Sequence, residues 1–447
     1  MIGFLFTNIK PYKEFDKLFD FEVFANKYLI AYIFGQDILE PSKTHVQIKF
    51  GKFYVKIHAF LHNCLLWQKR NLSLAYKLKA NCYFGSKSEC SKNSSFLNFY
   101  KLRRNLIERT AVRAFGNSIG ILILSRLIYI YFYLRSIKLK STLIKFESFI
   151  IPYGGRISIE QDFLIWFSKN HMIKTIAVQE NWDNLSSKTL LLMHPDFFAT
   201  WGKQSSLHLI KIHNFKGRAL EVGSLRIKEF YENRRVIFQK EFTSNINYES
   251  DGKTLKNLLL IGTGDAEFDL IIAKKCVDLI EQYSDEFKSN FSLIYRPHPY
   301  TRISTDEYMQ ISNLKGIAID KPEEKEANNY RIDVIKNSTL IIALYSTVIL
   351  EASILNKPCI IPSFFDSTFE YNTGDYLNEA EHYAGVASLE GVFNARTSEE
   401  FIGILKHFDV ANLPIYNDLK FLNWFCVDNN TSESILDIVN LPIKSKF

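Results

Sequence analysis

The sequence predicts an α/β protein of two Rossmann-like domains, each a parallel sheet wrapped by helices, facing each other across a cleft. Three observations carry this expectation. Short apolar runs recur and end in Gly, polar or charged residues, with helical patterns between them, as expected of parallel strands buried on both faces. The runs form two series, 148–226 and 257–365, divided by a charged and polar stretch. The 447 residues, 47% hydrophobic and 23% charged, suffice for two globular cores. The expected divisions are 1–235, a linker at 236–256, a second domain at 257–412, and a segment 413–447 that packs back on the first domain.

Taken in order, Met1-Ile-Gly-Phe-Leu-Phe6 reads as a first strand. It stops at Lys10-Pro11 and lacks the basic start of a signal peptide. Residues up to about 100 are rich in Phe, Tyr and Lys with weak periodicity. His58 and His62 lie one helical turn apart, followed by Cys64, Cys82 and Cys90. That spacing matches no zinc-ligand pattern, so satisfied or solvated histidines are expected and no metal. The six cysteines are scattered without Cys-x-x-Cys, which implies free thiols in a reducing compartment.

Residues 103–140 stand out. Arg103, Arg104, Arg109 and Arg113 precede Ile119–Leu124 and Leu127–Leu134, and Arg135, Lys138 and Lys140 follow. The apolar stretch is interrupted by Ser125 and Arg126 and is shorter than the ~20 residues a bilayer-spanning helix needs. A helix buried in the first domain is the expected reading. The alternative is an interfacial helix whose basic flanks sit on anionic lipid. From Ser148 the first series sharpens. Ser148–Pro152 is a strand, Tyr153-Gly-Gly155 a turn, and Ser158 with Gln161 a capping box opening a helix. Ile173–Val178 is a strand ending in the polar loop Gln179-Glu-Asn-Trp-Asp-Asn-Leu-Ser-Ser-Lys188. Asp196–Thr200 ends in Trp201-Gly202, Ala219–Val222 ends in Gly223-Ser-Leu-Arg226, and a helix follows near 227–241.

In the second series Leu258–Ile261 opens into Gly262-Thr-Gly-Asp265. Phe291–Tyr295 ends in Arg296-Pro-His-Pro299, and Thr339–Leu344 opens into Tyr345-Ser-Thr347 and a helix to Leu355. Ligands of such sheets bind beyond the carboxyl ends of the strands. Ser346 and Thr347 at a helix start favour phosphate through free N–H groups, the helix dipole and two hydroxyls. Glu351 lies one turn below, placed for ribose hydroxyls. His298 is held stiffly between prolines and can donate to a phosphate oxygen, with Arg296 adding charge. Gly262 and Gly264 shape the first strand-end loop. Asp265 reads equally as a catalytic carboxylate or as a helix N-cap. Glu180 and Asp183 are the acids of the first domain, with Glu160 and Asp162 as runners-up beside the Gly-Gly turn. No Gly-x-Gly-x-x-Gly, Walker loop or Asp-x-Asp strand end occurs. The net charge of +7 suits an anionic small ligand or acidic membrane surface, and no Lys/Arg run is dense enough to argue for nucleic acid.

Arg296-Pro-His-Pro299 with Tyr345-Ser-Thr347 and Glu351 resembles the His-Pro and Ser/Thr motifs of GT-B glycosyltransferases of bacterial surface polysaccharides. Those include Kdo transferases of capsule type and bacterial sialyltransferases, and more distantly CDP-glycerol glycerophosphotransferases. Gln179–Lys188, Trp201-Gly202 and Val222–Arg226 are similar to a surface-carbohydrate biosynthesis protein. The resemblance spans roughly 147–365. It implies a metal-independent, nucleotide-sugar-dependent transferase without a cofactor, with His298, Ser346 and Thr347 on the nucleotide phosphate, CMP in the Kdo and sialic-acid types. The acidic pair followed by glycine of the sialyltransferase type has no clean copy here, so the catalytic carboxylate stays open among Asp265, Glu180 and Asp183. The implied partners are a nucleotide-sugar donor and a glycan or lipid-linked glycan acceptor at the cytoplasmic face of the membrane. A polyol-phosphate transferase, a sugar-nucleotide epimerase and a non-catalytic assembly scaffold are the alternatives.

Overall fold

The structure, a computed structural model, describes residues 1–6, 19–21, 28–34, 45–73, 76–77, 80, 106–154, 157–240, 249–250, 253–263, 266–298, 306–320, 328–344, 346–364, 380–410 and 419–442. The chain forms two compact units. The first takes described residues from 1–93, 100–228 and 423–447, the second those from 229–422.

The first unit is built on β1 (Ile2–Phe6), β2 (Ile30–Phe34), β3 (His45–Gln47), β4 (Ser148–Tyr153), β5 (Lys174–Gln179), β6 (Phe197–Thr200) and β7 (Arg218–Glu221). They form one sheet in the order β3-β2-β1-β4-β5-β6-β7, every pair parallel. Strands β1, β4, β5 and β6 are buried along their whole length, which explains their unbroken apolar runs. Its helices are α1 (Lys52–Lys69), α2 (Leu106–Phe115), α3 (Ser118–Leu143), α4 (Ile159–His171), α5 (Lys203–His213) and the start of α6 (Leu225–Lys240). The division between the units falls inside α6. The capping box of α4 forms: the Gln161 N–H donates to Ser158 Oγ at 3.2 Å, and the Ser158 N–H donates to Gln161 Oε1 at 2.7 Å. Phe50, Phe132 on α3 and Phe163 on α4 pack edge to face, with centroids 5.3–6.4 Å apart. Each fully buried ring is worth about 1.5–3 kcal/mol, so this trio fixes α3 and α4 against the entry to α1.

Segment 118–143 is where the sequence reading is corrected. It is one 26-residue helix, and its buried residues, Gly120, Leu124, Ser125, Ile128, Phe132, Ser136 and Leu143, make a single stripe. Ile119, Leu122, Ile123, Leu127, Ile130, Tyr133, Leu134 and Ile137 are exposed, Ile119 to 72% and Ile130 to 59%. The helix is therefore not buried in the core. Its length and composition would suffice to cross a membrane. The reading went astray because an apolar segment without a polar face gives no periodicity to separate its two sides.

The second unit carries β8 (Glu249–Ser250), β9 (Lys253–Ile261), β10 (Asn290–Arg296), β11 (Ile317–Ile319), β12 (Leu340–Ala343), β13 (Cys359–Pro362) and β14 (Val392–Ala395). Its order is β11-β10-β9-β12-β13-β14, all parallel, with β8 antiparallel on β9. Helices α7 (Ala266–Gln282), α8 (Asp306–Ser312), α9 (Asn328–Lys336), α10 (Val348–Ile354) and α11 (Ser398–Val410) alternate with the strands. The order reverses at β9/β12, as it does at β1/β4 in the first unit. These are the topological switch points of doubly wound sheets.

After α12 (Leu419–Phe425) the chain belongs to the first unit, where α13 (Thr431–Asn440) packs Ile435, Leu436, Ile438 and Val439 against Ile2, Phe4, Ile150 and Ile176. The close approach of this tail accounts for two glycines. A Cβ at Gly202 would lie 2.8 Å from the Phe425 backbone. Gly223, at φ +82°, would place one 2.6 Å from the Val427 carbonyl.

Candidate functional site

The carboxyl ends of β9, β10 and β12 come together at the switch point of the second unit. Ile261 pairs with Arg296 on one side and with Ala343 on the other. Gly262, Pro297-His298 and the segment leading to Ser346-Thr347 therefore leave adjacent strands at one level. The Gly262 N–H donates to the Arg296 carbonyl at 2.8 Å. A Cβ at Gly262 would stand 2.8 Å from Tyr295 Oη, 2.9 Å from Asp269 Oδ2 and 2.9 Å from the His298 nitrogen, so glycine is required by close packing. Asp269, buried in the first turn of α7, was missed in the sequence reading. Its Oδ1 accepts from the Thr263 N–H at 2.8 Å and from Thr263 Oγ1 at 2.6 Å, and its Oδ2 accepts from Tyr295 Oη at 2.8 Å. The available signal was an acid one turn into the helix that follows the glycine-bearing loop. Gly264, Asp265 and Tyr345 lie outside the described residues.

Two of the expected donor ligands already have protein partners. Arg296 Nη1 lies 2.6 Å from Asp320 Oδ2, and its guanidinium lies 5.6 Å from the Tyr330 ring centre. Tyr330 donates to the other Asp320 oxygen. Burial first, then that hydrogen bond and the carboxylate charge, push the Tyr330 hydroxyl up to about 12. Arg296 therefore braces β10 and is not an uncommitted phosphate ligand. Glu351 is fully buried, 3.4 Å from Arg331 Nε, and Arg331 in turn lies 5.0 Å from the Phe230 ring centre. The one-turn spacing from Thr347 is real, and it turns the carboxylate toward Arg331 on α9 and away from solvent. The far end of α10 is held by buried Arg234, whose Nη1 donates to the Ile354 carbonyl at 3.0 Å and the Ser353 carbonyl at 3.3 Å. A cation on the last carbonyls complements the helix dipole. Asn356 closes the helix at φ 58° before Pro358. These partners aim α10's amino end. There Ser346 Oγ accepts from the Val348 N–H at 3.2 Å, and Thr347 and His298 are half-buried.

In the first unit the loop after β5 is not the solvated segment its composition suggests. Asn184–Lys188 is a single π turn and Trp182 is buried. Gln179 Nε2 donates to the carbonyls of Asn181 and Trp182, and Trp182 Nε1 donates to Gln204 Oε1 at 2.8 Å. Asp183 stands at the start of the π turn, 2.8 Å from Lys188 Nζ and 3.1 Å from Ser187 Oγ. Those contacts make it a loop-bracing residue. Glu180 is half-buried, and its carboxylate lies over Gly154, where an added Cβ would meet Oε2 at 2.1 Å. Of the two runners-up, Glu160 is buried and Asp162 is fully enclosed.

Asp162 also forms a constellation that spacing did not reveal. It meets His58 and His62 from α1, with Nε2–Oδ2 distances of 2.8 and 3.1 Å. Burial, then the neighbouring His62, push His58 down despite Asp162. Burial raises Asp162, but hydrogen bonds from both histidines outweigh it and hold the carboxyl below its usual range. Nothing local in the sequence joins an acid to histidines on a helix a hundred residues earlier.

No family model matches the chain, and no curated protein matches it significantly. Among solved structures it is similar to UDP-GlcNAc 2-epimerase from Methanocaldococcus jannaschii, at 11% identity and TM-score 0.48 over 98% of this chain and 99% of that one. UDP-GlcNAc 2-epimerase from Neisseria meningitidis bound to UDP-GlcNAc gives 11% and 0.46 over 98% and 99%. An alpha,alpha-trehalose-phosphate synthase (UDP-forming) from Burkholderia vietnamiensis gives 9% and 0.47 over 98% and 99%. At these scores the similarity assigns neither activity nor ligand, and the chain's own residues have to do so.

Proposed function

We propose that the protein is a glycosyltransferase that moves a sugar from a nucleotide-activated donor to a bacterial surface glycan or lipid-linked glycan. The second unit holds the nucleotide. One observation supports this most: three strand ends at the switch point bring Gly262, His298 and the Ser346-Thr347 turn to one level. A phosphate there meets an imidazole donor, two hydroxyls and the amino end of α10. Such donors stabilise the leaving nucleotide where other transferases use a metal. Asp265 or Glu180 supplies the carboxylate that activates an acceptor hydroxyl or attacks the donor carbon. CMP-linked Kdo or a nonulosonate is the donor class the His-Pro and Ser/Thr resemblance favours. Calorimetry with CMP, CDP, UDP and GDP tests the reading, with His298→Ala in parallel. CMP-selective binding that the substitution weakens about tenfold supports it. A folded protein that binds none of the four overturns it.

The same reading puts the protein at the cytoplasmic face of the membrane. Its support is the apolar outer face of α3, with exposed Arg113, Lys138 and Lys140 about it. Apolar burial plus basic flanks is what holds an interfacial helix on anionic lipid. Flotation with vesicles containing an anionic phospholipid tests this part. A dimer held together by that face, with no vesicle binding, would reassign it to self-association.

A further inference from the structure

The His58, His62 and Asp162 cluster of the first unit plays no part in the reading above. Its three atoms form a closed triangle: His58 Nε2 to Asp162 Oδ2 at 2.8 Å, His62 Nε2 to the same oxygen at 3.1 Å, and the two Nε2 atoms 3.3 Å apart. Asp162 is fully buried and His58 nearly so, while the His62 side chain keeps 15% of its surface and opens the cluster to solvent. Among the described residues, Asp162 Oδ1 and the buried Tyr153 hydroxyl have no hydrogen-bond partner.

We propose that these three side chains form a binding site for a divalent transition-metal ion, with Zn²⁺ the best match. Two imidazole nitrogens and one carboxylate oxygen are a borderline donor set that suits Zn²⁺ and disfavours Mg²⁺ and Ca²⁺. The spacing fits as well. With metal–ligand bonds of about 2.0–2.1 Å, tetrahedral ligand atoms lie roughly 3.3 Å apart. The observed edges are 2.8–3.3 Å. An ion with such bonds would sit about 1 Å above the triangle.

Proton placement argues the same way. Without a cation, both imidazoles must carry their proton on Nε2 to bond Oδ2, which sets two N–H groups side by side at 3.3 Å. With both protons on Nδ1, three lone pairs converge on one point, and only a cation satisfies them. A metal-free His–Asp–His hydrogen-bond cluster is the competing account, and it requires that pair of N–H groups at 3.3 Å.

The location gives the ion a role. His58 and His62 are on α1 and Asp162 is in the first turn of α4, the helix that leaves the carboxyl end of β4 at the switch point. The ion would cross-link these helices beside the trio of phenylalanines that packs α3 and α4. Ala59 stands where the His-x-x-x-His helix of a zinc peptidase carries its general-base glutamate, so the site is not hydrolytic in that manner. Three protein ligands leave the fourth position to water.

The test uses the full-length chain without a histidine tag, freed of metal by chelation and titrated with Co²⁺. One Co²⁺ per chain is expected, with the visible absorption of a four-coordinate nitrogen–oxygen site, displaced stoichiometrically by Zn²⁺. His62→Gln and Asp162→Asn should each weaken binding at least about tenfold while the far-UV circular dichroism is retained. Should a variant fail to fold, the wild-type spectrum still decides. No visible band at stoichiometric Co²⁺, together with Zn²⁺ content below one-tenth per chain after dialysis, overturns the site. A near-ultraviolet thiolate-to-cobalt band overturns the ligand set in favour of a cysteine. Binding unchanged in a folded His58→Gln/His62→Gln variant does the same.

Discussion

The two sheets share a strand order yet finish their carboxyl ends differently. In the first unit the ends of β6 and β7 are covered by the chain's own tail. The Val427 N–H donates to the Trp201 carbonyl at 2.9 Å, and Thr431 Oγ1 donates to the Val222 carbonyl at 3.2 Å. Gly202 and Gly223 are there to let that tail approach. In the second unit the ends of β9, β10 and β12 stay half-buried. Their polar groups rest on a frame of two internal ion pairs, Arg296–Asp320 and Arg331–Glu351, and the hydrogen bonds of Asp269. Polar residues after an apolar run say that a strand has ended. Whether the partner is a ligand or the chain itself is decided by what the rest of the fold brings there.

The largest expected effect separates the units by pH. Burial, followed by nearby cationic and imidazole groups, pushes His213 down to about 3 although its Nε2 donates to the Leu185 carbonyl at 2.7 Å. A base whose folded pKa lies below its unfolded value of 6.5 binds more protons when unfolded. Stability is then complete above pH 6.5 and is lost as pH falls toward about 3. The full loss is on the order of 5 kcal/mol. Denaturant melts from pH 7 to pH 4 should show the transition of the first unit falling steeply. In His213→Gln the same melts should be flatter, and equal slopes in the two proteins would show that His213 is not the responsible group.

The counterpart in the second unit is Asp269→Ala, expected to cost about 3 kcal/mol. It leaves the Thr263 N–H, the Thr263 hydroxyl and the Tyr295 hydroxyl without their shared acceptor. Chemical denaturation should record the loss in the transition that leaves the pH dependence of His213 unchanged. A loss below about 1 kcal/mol would mean that water replaces the carboxylate and that the loop is not braced as described.

Much of this frame was legible and some was not, for physical reasons. Parallel strands buried on both faces announce themselves as apolar runs, so β4, β5, β6, β10 and β12 could be read within a residue or two, as could the Ser158 capping box, whereas β9 begins five residues before the apolar run that marked it, inside the expected linker. The partners of charged side chains could not be read. Arg296 finds Asp320, Glu351 finds Arg331, and Asp162 finds two histidines on α1, and each pairing depends on which strands and helices the fold brings together. Local spacing gave Glu351 the correct helical phase relative to Thr347 but not its partner Arg331, because phase says nothing about what covers a face. Segment 118–143 failed for the opposite reason: it is apolar all round, so its pattern marks neither side.

A smaller effect sharpens the difference at the strand ends. Gly262→Ala should weaken nucleotide binding at least about tenfold, near 1.4 kcal/mol, by driving the Tyr295 hydroxyl, Asp269 and the His298 backbone apart. Gly202→Ala meets the tail backbone in the first unit and should leave nucleotide binding unchanged while lowering the melting temperature. Calorimetry on the two variants compares the ends directly. Equal loss of binding in both would mean that the nucleotide does not belong to the second unit alone.

The smallest expected change in stability carries the test of α3. Ile123 and Ile130 are exposed, at 50% and 59%, while Ile128 on the same helix is fully buried. Lysine at either exposed position meets water and no core atom, so Ile123→Lys and Ile130→Lys should shift stability by no more than about 0.5 kcal/mol. Ile128→Lys buries an unpaired charge in the hydrophobic core of the first unit and should unfold it. If the outer face lies on lipid, the two exposed substitutions remove vesicle binding while the melting curve stays in place. An apolar helix side in hydrocarbon is far less tolerant of lysine than the same side in water. Vesicle binding that survives both substitutions would take the membrane away from α3 and leave its apolar face to another partner.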